Sequence, residues 1–268
     1  MEYRNKVVVV TGAGAGIGQQ VALQALGRGA RVAAVDLRQE GLDETAARGN
    51  AGDRLATFAV DVTDREAVEA LPGKVEAALG PADVVIHCAG IIQPFVKLAD
   101  LDYPAIERVV NVNLWGTIYV AKAFLPVLLG RPEAHIALVS SMGGFVPFPG
   151  QTIYGATKAG VKLMAEGLYA ELLETGVGVS VVMPGAVATN ISANSGVDAP
   201  VAGGDAEAAS YRATSPEDAG RIILDGIADG DLHVFVGRDA RTMNILNRLA
   251  PRRSTNLIYR QMKGMLGD

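Results

Sequence analysis

Short runs of apolar, mostly β-branched residues alternate along the chain with longer segments whose apolar positions recur at helical spacing. Such a run, bounded by polar or glycine residues, is typical of a strand buried on both faces of a parallel sheet. Strands are predicted at residues 6–10, 31–36, 55–60, 83–87, 135–140, 177–183 and 232–236. Helices are predicted between them, at residues 19–26, 40–47, 64–79, 102–129, 152–174 and 216–229.

This alternation predicts an α/β fold: a single Rossmann-type doubly wound parallel sheet of about seven strands with helices on both faces. The 268 residues suffice for one such domain with a large core. We place the domain at residues 1–237. Within it, residues 186–215 are small and polar, with several glycines and alanines, which predicts a lid loop.

Residues 238–268 have a different composition, with seven cationic side chains, two carboxylates and apolar residues near helical spacing. The cations are Arg238, Arg241, Arg248, Arg252, Arg253, Arg260 and Lys263. The pattern predicts a basic amphipathic helical tail. Packing of this tail on the domain or on a partner subunit is the favoured interpretation, and contact with a membrane surface is the alternative.

The overall composition argues against several classes of protein. A net charge of −5 makes nucleic acid an unsuitable partner. Cys88 is the only cysteine, so no disulfide can form within the chain, and we expect a reducing, cytoplasmic location. The N-terminal residues show no signal peptide, and we expect no membrane-spanning helix.

A glycine-rich turn, Thr11-Gly-Ala-Gly-Ala-Gly-Ile-Gly18, joins the first predicted strand to the first predicted helix. Without side chains, its backbone can approach a pyrophosphate closely, and the helix N-terminus adds free N–H groups and a favourable dipole. The glycines fit Thr-Gly-x-x-x-Gly-x-Gly and depart from the strict G-x-G-x-x-G pattern. The turn predicts a dinucleotide site.

Tyr154 and Lys158 stand four residues apart in a predicted helix and therefore share one of its faces. A free phenol has a pKa of about 10, and a nearby ammonium lowers that pKa because it favours the phenolate. Ser141, thirteen residues before Tyr154, could then bind the substrate oxygen whose proton the phenol takes or gives. Taken alone, Tyr-x-x-x-Lys is also common in ordinary helices.

Together, in this order and spacing, the two motifs resemble the classical short-chain dehydrogenase/reductase family, from Lys6 to about Gly237. The resemblance implies an NAD-dependent oxidoreductase that interconverts a secondary alcohol and a ketone, with Tyr154 as general acid/base. It also implies a catalytic set of Asn113, Ser141, Tyr154 and Lys158. Asn113, selected over Asn111 by its spacing to Gly116, would hold a water that links Lys158 to solvent. The spacing to Tyr154 selects Ser141 over Ser140.

The resemblance also assigns a cofactor site that favours NAD over NADP. Its residues are Gly12, Gly16, Ile17, Gly18, Asp36, Asp61, Val62, Ala89, Gly90, Tyr154, Lys158, Pro184, Gly185, Val187 and Thr189. In the family, an acid at the position of Asp36 accepts the ribose hydroxyls and repels a 2′-phosphate. Arg38, close behind it, points instead toward NADP.

Several of these residues have structural alternatives. Asp36 could be an acid that holds a turn or caps a helix. Asp61 could cap the helix that starts near Asp64, although Asp64 or Thr63 suits that role better. His87 and Cys88 stand where the family has two asparagines, so the amides thought to brace the sheet are missing. Adjacent strand residues point to opposite faces, so we expect no metal site there.

Three segments are expected to border the substrate pocket: residues 91–95, 142–148 and 190–213. They are mostly apolar with few charges, which favours a small, uncharged, lipophilic alcohol or ketone as the substrate. Arg212 is a charge that could reach into this pocket. The same residues could equally belong to the core or to a subunit interface.

In this family the helices corresponding to 102–129 and 152–174 commonly form a dimer, so we expect a homodimer or homotetramer. The basic tail is longer than in tetrameric members and could block pairing along the seventh strand. Two other functions stay open: a non-catalytic dinucleotide sensor on the same fold, and a peripheral membrane-associated reductase that uses the tail. The complete catalytic set argues against the sensor.

Overall fold

The computed structural model describes residues 1–197 and 213–262. Its seven strands form one all-parallel sheet in the order β3-β2-β1-β4-β5-β6-β7, which confirms the predicted fold class. The strands are β1 Val7–Thr11, β2 Arg31–Asp36, β3 Leu55–Ala59, β4 Val84–His87, β5 Ala134–Val139, β6 Val177–Pro184 and β7 His233–Val236. The middle of the predicted lid loop, with Arg212, and residues 263–268, with Lys263, lie outside the described residues.

Helices cover both faces of the sheet. They are α1 Gly16–Gly27, α2 Gln39–Gly49, α3 Arg65–Leu79, α4 Tyr103–Val110, α5 Gly116–Leu129, α6 Thr152–Leu172, α7 Ile191–Asn194, α8 Pro216–Asp229, α9 Arg238–Leu249 and α10 Pro251–Met262. α1 begins three residues before the predicted helix, because the glycine turn leads straight into it. The basic tail forms α9 and α10.

Alternate side chains of the central strands enter two separate cores, one on each face of the sheet. In β1, Val7 and Val9 face the core shared with α3, α5 and α6, whereas Val8 and Val10 face the core shared with α1 and α8. All four valines are buried. Both faces of β1 are therefore covered, which explains why its sequence is a continuous apolar run.

The strand order reverses beside β1, because β2 and β3 extend the sheet on one side and β4 to β7 extend it on the other. In an open parallel sheet, the loops at such a point separate and leave a crevice at the carboxyl ends of the strands. The glycine turn after β1 and residues 88–90 after β4 line this crevice. The topology therefore places the predicted dinucleotide loop at the natural binding position of the fold.

The long predicted helix at 102–129 is continuous but not α-helical throughout. A π-helical turn, Asn111–Trp115, joins α4 to α5. The expectation that no helix could span a membrane is wrong by length and composition, since Tyr103–Leu129 contains a window with a mean hydropathy of 1.5. This observation is weak evidence for a membrane segment, because the helix buries Phe124 and Leu128 in the core.

The outer surfaces of α4, α5 and α6 carry large apolar side chains that the domain does not cover. The exposed residues are Tyr103, Trp115, Leu129, Leu163, Tyr169 and Leu173. A Cβ built on Gly167 would meet no atom within 4 Å, so this part of α6 is open to a partner. Large apolar side chains are often exposed where a partner subunit packs, and the helix-mediated dimer stays a prediction.

Ala170 lies exposed on α6 within this surface. An Ala170→Arg substitution should shift the protein from dimer toward monomer, because a buried guanidinium without a partner opposes association. Light scattering at micromolar concentration would measure the change. Ala47→Arg, on exposed α2, is the matched control. A monomeric wild-type protein would contradict the prediction, and a wild-type tetramer would refute the idea that the tail blocks further pairing.

Candidate active site

The turn after β1 requires glycine at three of its positions. Gly12 and Gly16 have positive φ angles of 67° and 56°. A Cβ on Gly18 would lie 2.1 Å from the carbonyl oxygen of Gly12, so a side chain there would displace the turn. No side chain caps the start of α1, which leaves its N–H groups available to an anion. The turn therefore fits a dinucleotide pyrophosphate.

Asp36 lies at the end of β2 and lines the crevice. Its carboxylate accepts hydrogen bonds from the backbone N–H groups of Gly14 at 2.9 Å and Arg38 at 3.0 Å. A Cβ on Gly14 would approach the Asp36 carboxyl carbon to 2.8 Å, so a side chain there would displace this carboxylate. The structural alternative for Asp36 is thus present in the molecule. Each carboxylate oxygen keeps a further acceptor position for a hydroxyl.

Arg38 extends from the same corner of the crevice to the segment that follows β6. Its guanidinium donates a hydrogen bond to the side-chain oxygen of Asn194 in α7 at 3.0 Å. Both residues line the crevice. The cation that could favour a 2′-phosphate is therefore engaged with Asn194.

The residues after β3 form the next part of the wall. Asp61 accepts hydrogen bonds from the backbone and hydroxyl of Thr63, both at 2.8 Å. Asp64 is the N-cap of α3 and accepts from the N–H of Ala67 at 3.1 Å, as its position suggested. Asp61 is therefore not the cap of this helix, and it lines the crevice together with Val62.

His87 braces the sheet at the end of β4, which corrects the doubt raised by the missing asparagines. Its Nδ1 atom lies 2.8 Å from the hydroxyl oxygen of Thr11, and that oxygen also accepts from the N–H of Ala89 at 3.2 Å. Burial lowers the pKa of His87 to about 3, with a smaller effect from Lys158, and raises the pKa of Cys88 to about 12. Both side chains are neutral at pH 7.

The described residues contain no group of three or more histidine, cysteine or acidic side chains that could hold a metal ion. This result concerns residues 1–197 and 213–262 alone.

Asn113 lies in the π-helical turn and is fully buried, whereas the rival Asn111 is exposed. Its side chain pairs with both backbone groups of Ile91, at 2.9 Å each, and donates to the Thr157 hydroxyl at 3.2 Å. A Cβ on Gly90 would lie 3.3 Å from the Asn113 side-chain oxygen and 3.0 Å from the Lys158 ammonium nitrogen. Asn113 and Lys158 therefore meet at Gly90.

The two serines after β5 have different partners. Ser140 is buried and donates its hydroxyl hydrogen to the backbone oxygen of Lys158 at 2.7 Å, so it anchors α6 to the sheet. Ser141 accepts from the N–H of Gly143 at 3.0 Å, and a Cβ on Gly143 would lie 3.4 Å from the Ser141 hydroxyl oxygen and 3.2 Å from the Tyr154 ring. The structure thus places Ser141, and not Ser140, against the phenol.

Burial dominates the ionisation of Tyr154 and Lys158. It raises the pKa of Tyr154, against the opposing effect of the Ser141 hydrogen bond. It lowers the pKa of Lys158 to about 8, and the ammonium donates to the backbone oxygen of Val139 at 3.0 Å. The net shift of the Tyr154 pKa is therefore upward and not the predicted lowering, because desolvation, which favours the neutral phenol, is the largest effect.

Of the predicted site residues after β6, one lines the crevice and the others contact neighbouring parts of the fold. Thr189 lines the crevice, and its side chain lies 3.3 Å from where a Cβ on Gly16 would be. Gly185 instead faces Asp239, whose carboxylate would lie 2.2 Å from an added Cβ. Pro184 pairs with Val236 in β7. Val187 forms a bridge with Thr214. Of these four predicted cofactor residues, Pro184, Gly185, Val187 and Thr189, only Thr189 lines the described crevice.

The predicted substrate segments are partly structural. Val146 is fully buried, and Phe145 packs on the core with its ring 6.3 Å from that of Phe235. Ser195, in the segment after β6, is buried and accepts from the N–H of Ile92 at 3.0 Å. The segment after β4 and the start of the predicted lid are therefore joined directly.

Gln93 is a site residue that the sequence placed only in the pocket wall. It is fully buried, and its side-chain oxygen accepts from the N–H groups of Ile153 at 2.9 Å and Tyr154 at 3.0 Å. Its amide nitrogen donates to the backbone oxygen of Gly150 at 3.0 Å. Gln151, at the N-cap position of α6, makes no side-chain cap bond, so Gln93 satisfies the first turn instead.

A signal for this role was present in the sequence. A glutamine inside the apolar run Ile91-Ile-Gln-Pro-Phe95 must be paired if it is buried, because an unpaired buried amide is costly. Its partners lie about sixty positions later in the chain, so the sequence could not identify them.

Comparisons with known proteins agree with this geometry. The family model described as short chain dehydrogenase matches residues 6–199. The Mycobacterium tuberculosis protein SadH, named as an oxidoreductase, is 35% identical over 257 residues, covering 92% of this chain and 91% of its own. A Burkholderia phymatum short chain dehydrogenase/reductase solved with NAD superimposes with a TM-score of 0.81 at 25% identity, over 93% of this chain and 96% of its own.

A second structural neighbour differs in its cofactor. The short chain dehydrogenase of Burkholderia cenocepacia J2315, solved with NADP, gives a TM-score of 0.80 at 25% identity and covers 96% of this chain and 99% of its own. Similarity of fold therefore does not decide between the two dinucleotides.

Gln93→Met should lower kcat by about 10²-fold while leaving NADH affinity near the wild-type value. The substitution keeps the side-chain volume but removes the acceptor that holds the N–H of Tyr154, and a small misplacement of a reacting group has an effect of this size. Steady-state kinetics and NADH fluorescence titration would separate the two quantities.

Gln151→Met is the matched control for Gln93→Met. Gln151 is also buried and loses one hydrogen bond, to the backbone oxygen of Gln93 at 2.8 Å, but it does not cap α6. Gln93→Glu keeps an acceptor and should restore part of the turnover. Equal losses of kcat in both methionine variants would contradict a positioning role.

Proposed function

The chain belongs to the short-chain dehydrogenase family, and from this premise we propose an NAD-dependent oxidoreductase that interconverts a lipophilic secondary alcohol and its ketone. The observation that carries the proposal is that α6 presents Lys158 at Gly90 in the crevice wall and, one turn earlier, Tyr154 beside Ser141 at Gly143. A hydroxyl acceptor, a phenol and an ammonium are the groups that alcohol–ketone chemistry requires for proton transfer.

The crevice would hold the dinucleotide through residues from five loops, those after β1, β2, β3, β4 and β6. The glycine turn and the start of α1 would bind the pyrophosphate, Asp36 the adenosine ribose, and Asp61 with Val62 the adenine. The bound nicotinamide would accept or supply the hydride. Ala89, Gly90 and Thr189 line the far end of the crevice, where they would direct the dinucleotide toward Lys158.

Tyr154 would exchange the proton of the substrate hydroxyl at its phenolic oxygen. In the oxidative direction the phenolate takes this proton, and in the reductive direction the phenol returns it to the carbonyl oxygen. Ser141 lies beside the Tyr154 ring and would share the substrate oxygen with the phenol. Placing the proton acceptor before the reaction lowers the barrier, because no group must be reoriented.

Lys158 would stabilise negative charge at the phenol and pass protons onward. A pKa of about 8 keeps its ammonium the main form at pH 7 and also lets it release a proton near neutral pH. The amide of Asn113, facing the same glycine, would hold the water that connects Lys158 to solvent.

The choice of NAD rests on Asp36 and Arg38. A carboxylate at this position repels a 2′-phosphate. The two backbone N–H donors hold the Asp36 carboxylate at the crevice, and the Arg38 guanidinium is occupied by Asn194. A lipophilic substrate is supported by the apolar segments that follow β4 and β5, and by their few charges.

Tyr154→Phe should abolish nearly all turnover, with a loss of about 10²- to 10⁴-fold in kcat, and should leave the NADH dissociation constant near wild type. The substitution removes the proton-transfer group and nothing else. NADH formation with a panel of secondary alcohols would measure it. Tyr169→Phe, on the exposed side of the same helix, is the matched control. Full activity of Tyr154→Phe with any good substrate would refute the mechanism.

The same measurement has a pH dependence with a defined sign. Because burial raises the pKa of Tyr154, the phenolate is a minor form at neutral pH. Alcohol oxidation should therefore accelerate as pH rises, by up to about tenfold per pH unit, until Tyr154 is ionised. A flat profile above pH 7 would show that Tyr154 ionisation does not limit the reaction.

The wild-type protein should bind NADH more tightly than NADPH, because Asp36 repels the 2′-phosphate. Asp36→Asn removes the charge and keeps one of the two oxygens that accept from the N–H groups of Gly14 and Arg38, and it should reduce the ratio of NADPH to NADH dissociation constants by about tenfold. Cofactor fluorescence titration measures both constants. Asp64→Asn, at the neighbouring helix cap, is the control. Tighter wild-type binding of NADPH would overturn the assignment.

A further inference from the structure

The charge of this protein is strongly separated along the chain. Residues 238–268 carry seven cations and two carboxylates, a net charge of +5, while the whole chain carries −5. The first 237 residues therefore carry −10. Like charges crowded in one short segment repel one another, so such a concentration favours contact with an external anionic surface.

The arginines of α9 and α10 have no counterion among the residues that the structure describes. Within residues 1–197 and 213–262, none of the six arginines of the two helices forms an ion pair. Asp239 is the acid of these helices, and its carboxylate accepts the N–H of Ala186 at 2.8 Å. We call α9 and α10 together the hairpin. Its positive charge is therefore available to solvent or to a partner.

One side of α9 combines these arginines with exposed aliphatic side chains. Ile245 is 55% exposed and Leu249 is 81% exposed, and their spacing of four places them on one face. Arg241 and Arg248 flank them at helical spacing, and Arg252 follows at the start of α10. We call these five residues the basic face of the hairpin. Ala240 is buried on the opposite side of α9.

The orientation of the basic face is set by packing underneath it. Ser254 and Ile258 of α10 are buried, and the Ser254 hydroxyl donates to the side-chain oxygen of Asn247 in α9 at 2.7 Å. The inner sides of α9 and α10 thus pack on each other, and Asp239 attaches α9 to the domain through the N–H of Ala186. The apolar and cationic side chains of the basic face, on the outer side, are therefore exposed to solvent next to one another.

We propose that the basic face of the hairpin binds the surface of a bilayer that contains anionic lipids. Aliphatic side chains flanked by arginines suit the boundary between headgroups and acyl chains, because the stems lie along the apolar region while the guanidinium groups reach the phosphates. A membrane supplies both the apolar contact and the negative charge. Attachment by this face needs no catalytic residue, so it is independent of the proposed reaction.

Co-sedimentation of the full-length protein with lipid vesicles tests the proposal. The protein should bind vesicles of phosphatidylcholine mixed with phosphatidylglycerol, should not bind pure phosphatidylcholine, and should be released as salt is raised. Arg241→Glu with Arg248→Glu should lower the partition coefficient by more than tenfold, since each arginine near an anionic surface contributes roughly fivefold. Ile245→Ser with Leu249→Ser should weaken vesicle binding at every salt concentration at which the wild-type protein binds, because it removes the apolar contact and leaves the charge unchanged.

Arg65→Glu with Lys74→Glu, two exposed cations on α3, is the matched charge-reversal control and should retain binding. NADH titration checks that every variant is folded. Failure of the wild type to bind anionic vesicles at low salt would overturn the proposal, as would unchanged binding of the Arg241 and Arg248 variant. Ile245→Ser with Leu249→Ser could instead lower the molar mass of the protein in solution, measured by light scattering, and leave vesicle binding intact. In that case the basic face joins copies of the chain, and the proposal fails.

Discussion

The structure depends on a polar junction between β1 and β4, where the strand order reverses. The Thr11 hydroxyl oxygen, at the end of β1, contacts both the His87 ring and the N–H of Ala89. Because Thr11 and His87 are fully or almost fully buried, loss of this pairing would leave polar atoms unsatisfied, at about 1–3 kcal/mol each. The junction therefore holds together the ends of the two strands whose loops form the walls of the crevice.

The segment after β4 connects this junction to the side chains proposed for catalysis. Asn113 binds both backbone groups of Ile91, and two residues later Gln93 binds the first N–H groups of the helix that carries Tyr154. A side-chain amide suits this task because it donates and accepts at once. Buried networks in which these atoms are paired permit few alternative arrangements. The wall of the crevice and the residues proposed for proton transfer are therefore joined by one set of hydrogen bonds.

Burial also sets the chemistry of the site. Desolvation disfavours every charged form, so it raises the pKa of Tyr154 and lowers that of Lys158. The two groups have similar pKa values in water, about 10 and 10.4, so these opposite shifts separate them. The separation favours transfer of a proton from the Lys158 ammonium to a Tyr154 phenolate over the reverse transfer.

The sequence by itself determined the strands, the need for glycine after β1, and the shared face of Tyr154 and Lys158, since these follow from backbone periodicity and local conformation. Tertiary structure alone decided which distant residues meet. Gln93 reaches Tyr154 across 61 positions, and His87 reaches Thr11 across 76. It also decided the direction of the Tyr154 pKa shift and which side of α9 stays exposed, because burial depends on packing between segments that no local spacing specifies.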